Sequence, residues 1–268
     1  MDLGLAGKWA LVTGSSAGIG ETIARTLARE GTKVIVHGRD AGRTESVVAA
    51  IRASGGTAAM AIGDLATDDG AMHVAREALA ASGGIDILVN NAGSYALRFW
   101  LETTAETWRN AYETDVLSAV RMIKALVPAM RERKWGRIIN IGTGLATTPE
   151  DALADYGAAK AALLNATVSL SKALARTGIT VNSVSPGLIH TGGVEEVLKT
   201  HAARAGWKDD WGVVQINWFE QVLGNKTVDR LGTPQEVADF VAFVSSPLAG
   251  YINGANLRID GGLTPSVN

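Results

Sequence analysis

Short β-branched runs alternate with amphipathic stretches along most of this 268-residue chain, and that rhythm leaves few architectures open. Lys8 to Thr13 reads as a buried strand, and Ile19 to Glu30 follows with apolar residues at helical spacing until Gly31 stops it. The cycle repeats through strand candidates at Val34–Val36, Ala58–Ile62, Ile85–Val89, Arg137–Ile141, Ile179–Val184 and Asn256–Ile259, about seven in all. Runs buried on both faces and separated by helices form a parallel, doubly wound α/β sheet with right-handed crossovers. The one break in rhythm is the stretch 192–228. An insertion at that edge of a doubly wound sheet covers the ligand crevice.

Composition narrows the functional classes. With 47% hydrophobic residues and no Pro/Gly/Ser-rich linker, the chain reads as a single domain over 1–268. A net charge of -2 offers no field for nucleic acid. There is no cysteine, and the four histidines show no ligand spacing, so thiolate and cysteine-metal chemistry drop out and a metal-free reaction is expected. No apolar run reaches the roughly 18–20 residues of a membrane span, and no signal peptide precedes Lys8, so a cytoplasmic protein is the expectation.

Directly after the first strand come Gly14, Ser15, Ser16, Gly18, Ile19 and Gly20, leading into a helix. Glycines let the backbone turn tightly and approach a pyrophosphate, whose charge then meets the free N–H groups and positive dipole end of the helix. Further on, Tyr156 and Lys160 stand four residues apart, neighbours on one helix face. A free tyrosine has a pKa of about 10 and needs roughly 4 kcal/mol of bias to exchange protons near neutrality. A cation about 4–5 Å away at an effective dielectric near about 20 supplies about 3–4 kcal/mol. Lys160 is therefore expected to hold the phenol acidic.

The Gly14, Gly18, Gly20 spacing, then Asn90-Asn91-Ala92-Gly93 after the fourth strand and Tyr156 with Lys160, closely resembles the short-chain dehydrogenase/reductase family. The likeness runs on through Asp64-Leu65, Pro186-Gly187 with Ile189 and Thr191, Arg230 to Pro234 and Asp260-Gly261-Gly262, and is strongest to 3-oxoacyl-carrier-protein reductase-like members. It implies a Rossmann-type domain whose cofactor contacts come from the glycine loop, Asp64, Leu65, Asn91, Ala92, Gly93, Pro186, Gly187, Ile189 and Thr191. It implies further that Tyr156 is the general acid or base, that Lys160 holds the nicotinamide ribose and lowers the Tyr156 pKa, and that the protein is a homotetramer.

Two positions depart from the family. The residue thirteen before Tyr156 is Thr143, where Ser is usual; it keeps a hydroxyl for the substrate oxygen but adds a methyl, and could equally cap a turn beside Gly142 and Gly144. Asp115 stands where an Asn holds a water of the proton relay. It can accept that water's hydrogen bonds, or ion-pair within the core.

At the end of the second strand, His37, Gly38 and Arg39 replace the acid that NAD-selective members use for the ribose 2′-hydroxyl. Arg39 suits a 2′-phosphate, so NADP(H) is the expected cofactor and NAD the alternative. His37 is assigned to packing or stacking near the adenine. In the insertion, Trp207, Trp211 and Trp218 have the spacing of one helix face, fit for lid packing, a subunit contact or a pocket for a bulky ketone; Tyr95, Leu97, Phe99 and Trp100 are other pocket candidates. The function expected is hydride transfer between NADP(H) and a small-molecule carbonyl or secondary alcohol. The rivals are an NAD-dependent sugar or alcohol dehydrogenase and a non-catalytic nucleotide-binding regulator or scaffold.

Overall fold

Seven parallel strands form one sheet in the order β3-β2-β1-β4-β5-β6-β7. They are β1 Trp9–Val12, β2 Lys33–Gly38, β3 Ala58–Ile62, β4 Ile87–Asn90, β5 Gly136–Ile141, β6 Ile179–Pro186 and β7 Asn256–Ile259. The structure is a computed structural model that describes residues 1–218, 220, 228 and 230–265. Of the predicted 192–228 insertion, residues 219 and 221–227 therefore lie outside the described residues.

The expected fold class is the one observed. Successive strand residues point to opposite faces, so Val12 and Val36 enter one core layer while their neighbours Leu11 and Ile35 enter the other. The first layer is closed by α1 (Gly18–Arg29), α2 (Ala41–Ala53) and α9 (Pro234–Val244), through Ile23, Leu27, Val48, Val237 and Val241. The second is closed by α3 (Asp68–Ser82) and α5 (Ser118–Arg133), through Val74, Ala78, Met122, Leu126 and Met130. β6 runs past the predicted Val184 to Pro186, because Pro186 stays in register with Ile259 of β7. No helix among the described residues is long and apolar enough to cross a membrane.

The chain starts at the centre of the sheet, moves outward to β3, and returns to the other side of β1 as β4. Connections leaving β1 and β4 therefore diverge, and a crevice opens at their carboxyl ends. After β6 the chain rises as α7 (Gly192–Arg204) and α8 (Trp211–Asn217). The expected single-face tryptophan stripe is not formed: Trp207 precedes α8, Trp211 opens it and Trp218 follows its last residue. The three rings instead gather around Leu198, Ala202, Val214 and Leu231, with His201 edge-on to Trp207 and Trp218. Hydrogen bonds from His190 N to Gly232 O and from Gly232 N to Leu188 O tie the approach to α7 to the approach to α9.

A buried polar strut positions the long helix α6 (Ala154–Ala173) over the sheet. Asn90 Nδ2 donates to Asn140 Oδ1 across β4 and β5 (2.8 Å), and Asn140 Nδ2 donates to Thr167 Oγ1 on α6 (2.9 Å). Asn140→Leu should lower stability by about 2–4 kcal/mol, because it strands the Asn90 amide in a dry core. Urea unfolding should show a reduced midpoint at unchanged slope.

Candidate active site

The glycine loop leaves β1 and enters α1 without a side-chain cap: the residue before the helix is Ala17, whereas Asp40, Thr67, Thr191 and Thr233 cap α2, α3, α7 and α9. The first-turn N–H groups of α1 are thus left for an anion. Gly14 and Gly18 have φ of +62° and +59°, and a Cβ on Gly14 would come within 2.9 Å of the Ala92 backbone. That close approach is secured by Asn91, whose Nδ2 donates to the carbonyls of Thr13 (3.0 Å) and Gly14 (3.1 Å), and by Ala92 N donating to Thr13 Oγ1 (2.9 Å).

Two of the predicted cofactor contacts, Ser15 and Leu65, turn their side chains inward and leave only backbone toward the crevice. Ser15 is fully buried beneath the loop, its Oγ donating to Val12 O (2.7 Å) and accepting from His37 N (3.0 Å). Leu65 turns its side chain into the core, while Asp64 stays exposed. Sequence reasoning also missed the work of His37. Its Nδ1 accepts from Gly14 N (2.9 Å), which sets the proton on Nε2 to donate to Gly63 O (3.1 Å). Burial pushes its pKa down to about 4, so the ring is a neutral packed strut between the glycine loop and the end of β3. Arg39 is exposed beyond Gly38, and Ser16 packs against Gly38.

The second half of the site lies on α6 and the strand ends facing it. Tyr156 and Lys160 share a face of α6, with Lys160 Nζ 5.7 Å from the centroid of the Tyr156 ring. Lys160 is buried, donates to Ile141 O at the end of β5 (3.0 Å), and lies 3.4 Å from Asp115 Oδ1. Asp115 sits in a π-helical turn, Glu113–Leu117, between α4 (Ala105–Tyr112) and α5. Such a turn inserts a residue into the helix path and redirects it inward. Ser94 N donates to the same Asp115 Oδ1 (3.3 Å), and Oδ2 is buried with no partner. Burial raises the Asp115 pKa against the pull of Lys160.

This arrangement corrects one expectation. The phenol of Tyr156 is not held acidic by the neighbouring amine; its pKa is raised above the ordinary 10, by burial first and then by the charge of Asp115 and the nearby Tyr95. Lys160 is paired with Asp115, 3.4 Å away, and does not offset the effect of burial and of Asp115 on the phenol. The one group that favours ionisation is Thr143, whose hydroxyl lies against the phenol while also accepting from Leu145 N (3.4 Å). Thr143 thus caps the turn at Leu145 while its hydroxyl lies beside the phenol.

A loop pinned to α6 completes the wall. Arg98 N donates to Ala152 O (3.0 Å), and Arg98 Nη2 pairs with buried Asp155 (2.8 Å), whose Oδ1 accepts from Tyr156 N (2.9 Å). This brings Tyr95 against the Tyr156 ring, centroids 5.7 Å apart. Phe99 and Trp100, offered as pocket residues, lie outside and are half exposed.

A cavity of about 310 Å³ joins the halves. Ile19, Asn91, Gly93, Pro186, Gly187, Ile189 and Thr191 line one side, and Thr143, Tyr156, Tyr95 and Leu97 the other, with Asp115 and Lys160 between. Thr191 caps α7 directly over Gly18, a Cβ on which would lie 4.0 Å from its methyl. Asp115→Asn keeps a hydrogen-bonding amide beside Lys160 but removes the negative charge. Ultraviolet difference titration, with Tyr156→Phe as the reference, should find the Tyr156 phenol ionising at lower pH in that variant than in the parent protein.

Known proteins share this geometry. The family model for short chain dehydrogenases matches residues 8–202. The uncharacterized oxidoreductase YvaG of Bacillus subtilis is 36% identical over 269 aligned residues, covering 100% of each chain. The 3-oxoacyl-(acyl-carrier-protein) reductase FabG of Escherichia coli is 36% identical over 96% of this chain and 97% of its own. Among solved structures, L-sorbose reductase of Gluconobacter frateurii, complexed with NADPH and L-sorbose, superposes with a TM-score of 0.92 at 32% identity over 100% of both chains.

Proposed function

The chain belongs to the short chain dehydrogenase family of oxidoreductases, and from that premise we propose that it interconverts a small carbonyl compound and its alcohol with NADP(H), Tyr156 carrying the proton. The observation that supports this most is that the Tyr156 phenol, the Thr143 hydroxyl and the walls of the dinucleotide crevice all border one cavity. The uncapped start of α1 and the close-packed Gly14 fit a pyrophosphate. Asn91, Gly93, Pro186, Gly187, Ile189 and Thr191 would hold the nicotinamide half, with Lys160 on its ribose. When bound, the dinucleotide supplies or accepts the hydride.

In reduction, Tyr156 donates its proton to the carbonyl oxygen; in oxidation, the phenolate accepts it from the alcohol. A neutral, protonated phenol at pH 7 suits the reductive direction, and its raised pKa keeps it so. Thr143 donates a hydrogen bond to the same oxygen. Lys160, held by Ile141 O, and Asp115 stand behind the phenol as the route by which a proton is replaced. The segment 192–228 covers the substrate, and the protein assembles as the homotetramer its family resemblance implies.

The preference for NADP(H) rests on Gly38 and Arg39. Position 38 holds no acid, and a Cβ there would lie 2.5 Å from Thr44 Oγ1 and 2.8 Å from Ser16 Oγ, so a side chain would have to displace both hydroxyls. The exposed Arg39 guanidinium is next along the chain, free to pair with a 2′-phosphate beside Ser16. Tyr156→Phe should lower kcat by about 100-fold or more, with NADPH binding by fluorescence titration unchanged. Arg39→Asp should lower the kcat/KM preference for NADPH over NADH by about 10- to 100-fold, the weight of a charge-assisted hydrogen bond. An unchanged preference would remove the assigned role of Arg39.

A further inference from the structure

Tyr156 borders a second cavity besides the one that joins it to the dinucleotide crevice. The first is about 310 Å³; the second, about 350 Å³, is lined by Ala96, Arg98, Thr107, Asn110, Thr114 and Asp155 among others. Ser94, Tyr95 and Tyr156 line both, so these three residues are the partition between them. Ser94 contributes little bulk and Tyr156 is committed to the chemistry, which leaves the Tyr95 ring as the body of that partition. It lies against the phenol ring, tilted by 53° with centroids 5.7 Å apart.

The loop is anchored on either side of this ring. Ser94 N donates to Asp115 Oδ1 (3.3 Å), and Arg98 is held by Ala152 O and by Asp155. Between these anchors Tyr95, Ala96 and Leu97 make no hydrogen bond among the described residues. Tyr95 is therefore placed by packing alone, with the Tyr156 ring on one side and the start of α7 at its far end, where a Cβ on Gly193 would lie 3.7 Å from Tyr95 Oη. The ring spans the gap from the phenol to α7.

The spaces it divides differ in chemistry. The far wall of the first is apolar, built by Leu97, Leu145, Leu153, Val197, Leu198 and Trp218. The second presents the hydroxyls of Thr107 and Thr114, the Asn110 amide and the Arg98–Asp155 pair, and exposed Asn110 stands at its outer side. We propose that Tyr95 is the end wall of the substrate site: its ring confines the group carried by the reacting carbon to the first cavity and shuts out the second, so position 95 sets the longest substrate accepted. The proposal rests on the oxidoreductase reading of the same site and adds a specificity-determining residue. Tyr95 takes no part in proton transfer.

The test is a series of ketones with unbranched tails of increasing length, ending in methyl or in hydroxyl, assayed with NADPH on the parent protein, Tyr95→Phe and Tyr95→Ala. In the parent, kcat/KM should rise by about 4-fold per methylene while the tail covers the apolar wall, then fall once the tail outgrows the first cavity. Tyr95→Phe keeps the ring and should keep that break at the same length. Tyr95→Ala joins the cavities and should move the break to longer tails, with a gain of about 10-fold or more for the longest ketones over the shortest. The gain should be larger for hydroxyl-ended tails, which find partners in the second cavity. Unaltered NADPH affinity by fluorescence titration shows that the variant is folded; Tyr95→Leu, which also removes the ring, replaces it if it is not.

Asn110→Trp fills the second cavity without touching the first. Combined with Tyr95→Ala it should return the break toward the parent length, which a general loosening of the site would not do. A break that stays in place without the ring, or a gain that survives Asn110→Trp, overturns the proposal. NADPH binding with no ketone turned over overturns the oxidoreductase reading instead, and calorimetry of the same ketones on the NADPH complexes of parent and Tyr95→Ala then still reads the length limit.

Discussion

The gap between β1 and β4 is the constraint on which the rest of this molecule depends. Adjacent parallel strands whose connections leave in opposite directions cannot close over their carboxyl ends, so a crevice is built in before any side chain is chosen. The chain keeps that crevice narrow by sewing its two lips together. Asn91 bonds to the carbonyls of Thr13 and Gly14, and Ala92 N bonds to the Thr13 hydroxyl. Glycine at position 14 is then a steric requirement, since a methyl group would collide with Ala92. On the far side His37 braces the same loop from β2, which leaves the loop backbone fixed from two directions.

Charge is arranged around this frame with equal economy. A lone ammonium or carboxylate in a dry site carries a desolvation cost of several kcal/mol, and the Lys160 and Asp115 side chains offset it by meeting each other and the backbone. The phenol of Tyr156 meets burial, the charge of Asp115 and the nearby Tyr95, and its pKa is raised.

Much of this was legible in the sequence, because it is local. Short β-branched and apolar runs marked the strands, helical spacing marked the first helix, and spacing alone put Tyr156 and Lys160 on one face. Side-chain direction was less legible than element order. The Ser15 side chain turns beneath the glycine loop, and Leu65 follows an exposed Asp64 into the second core layer. Spacings of four and seven suggested one helix face for the tryptophans, yet α8 begins only at Trp211 and the rings converge through tertiary packing. Phe99 and Trp100 follow Leu97 closely, but the bond from Arg98 to Ala152 turns the loop and leaves them facing solvent.

The chain's order of elements, its phosphate loop and its phenol–amine turn were settled by sequence, since each depends on neighbours a few residues apart. Tertiary structure alone decided that Asp115 neutralises Lys160, that His37 props the loop at Gly14 against Gly63, that Arg98 and Asp155 steady Tyr156, and that Trp218 closes an apolar wall. These depend on distance through space and on exclusion of water. Coulomb energy and hydrogen bonding respond to both, and a linear spacing encodes neither.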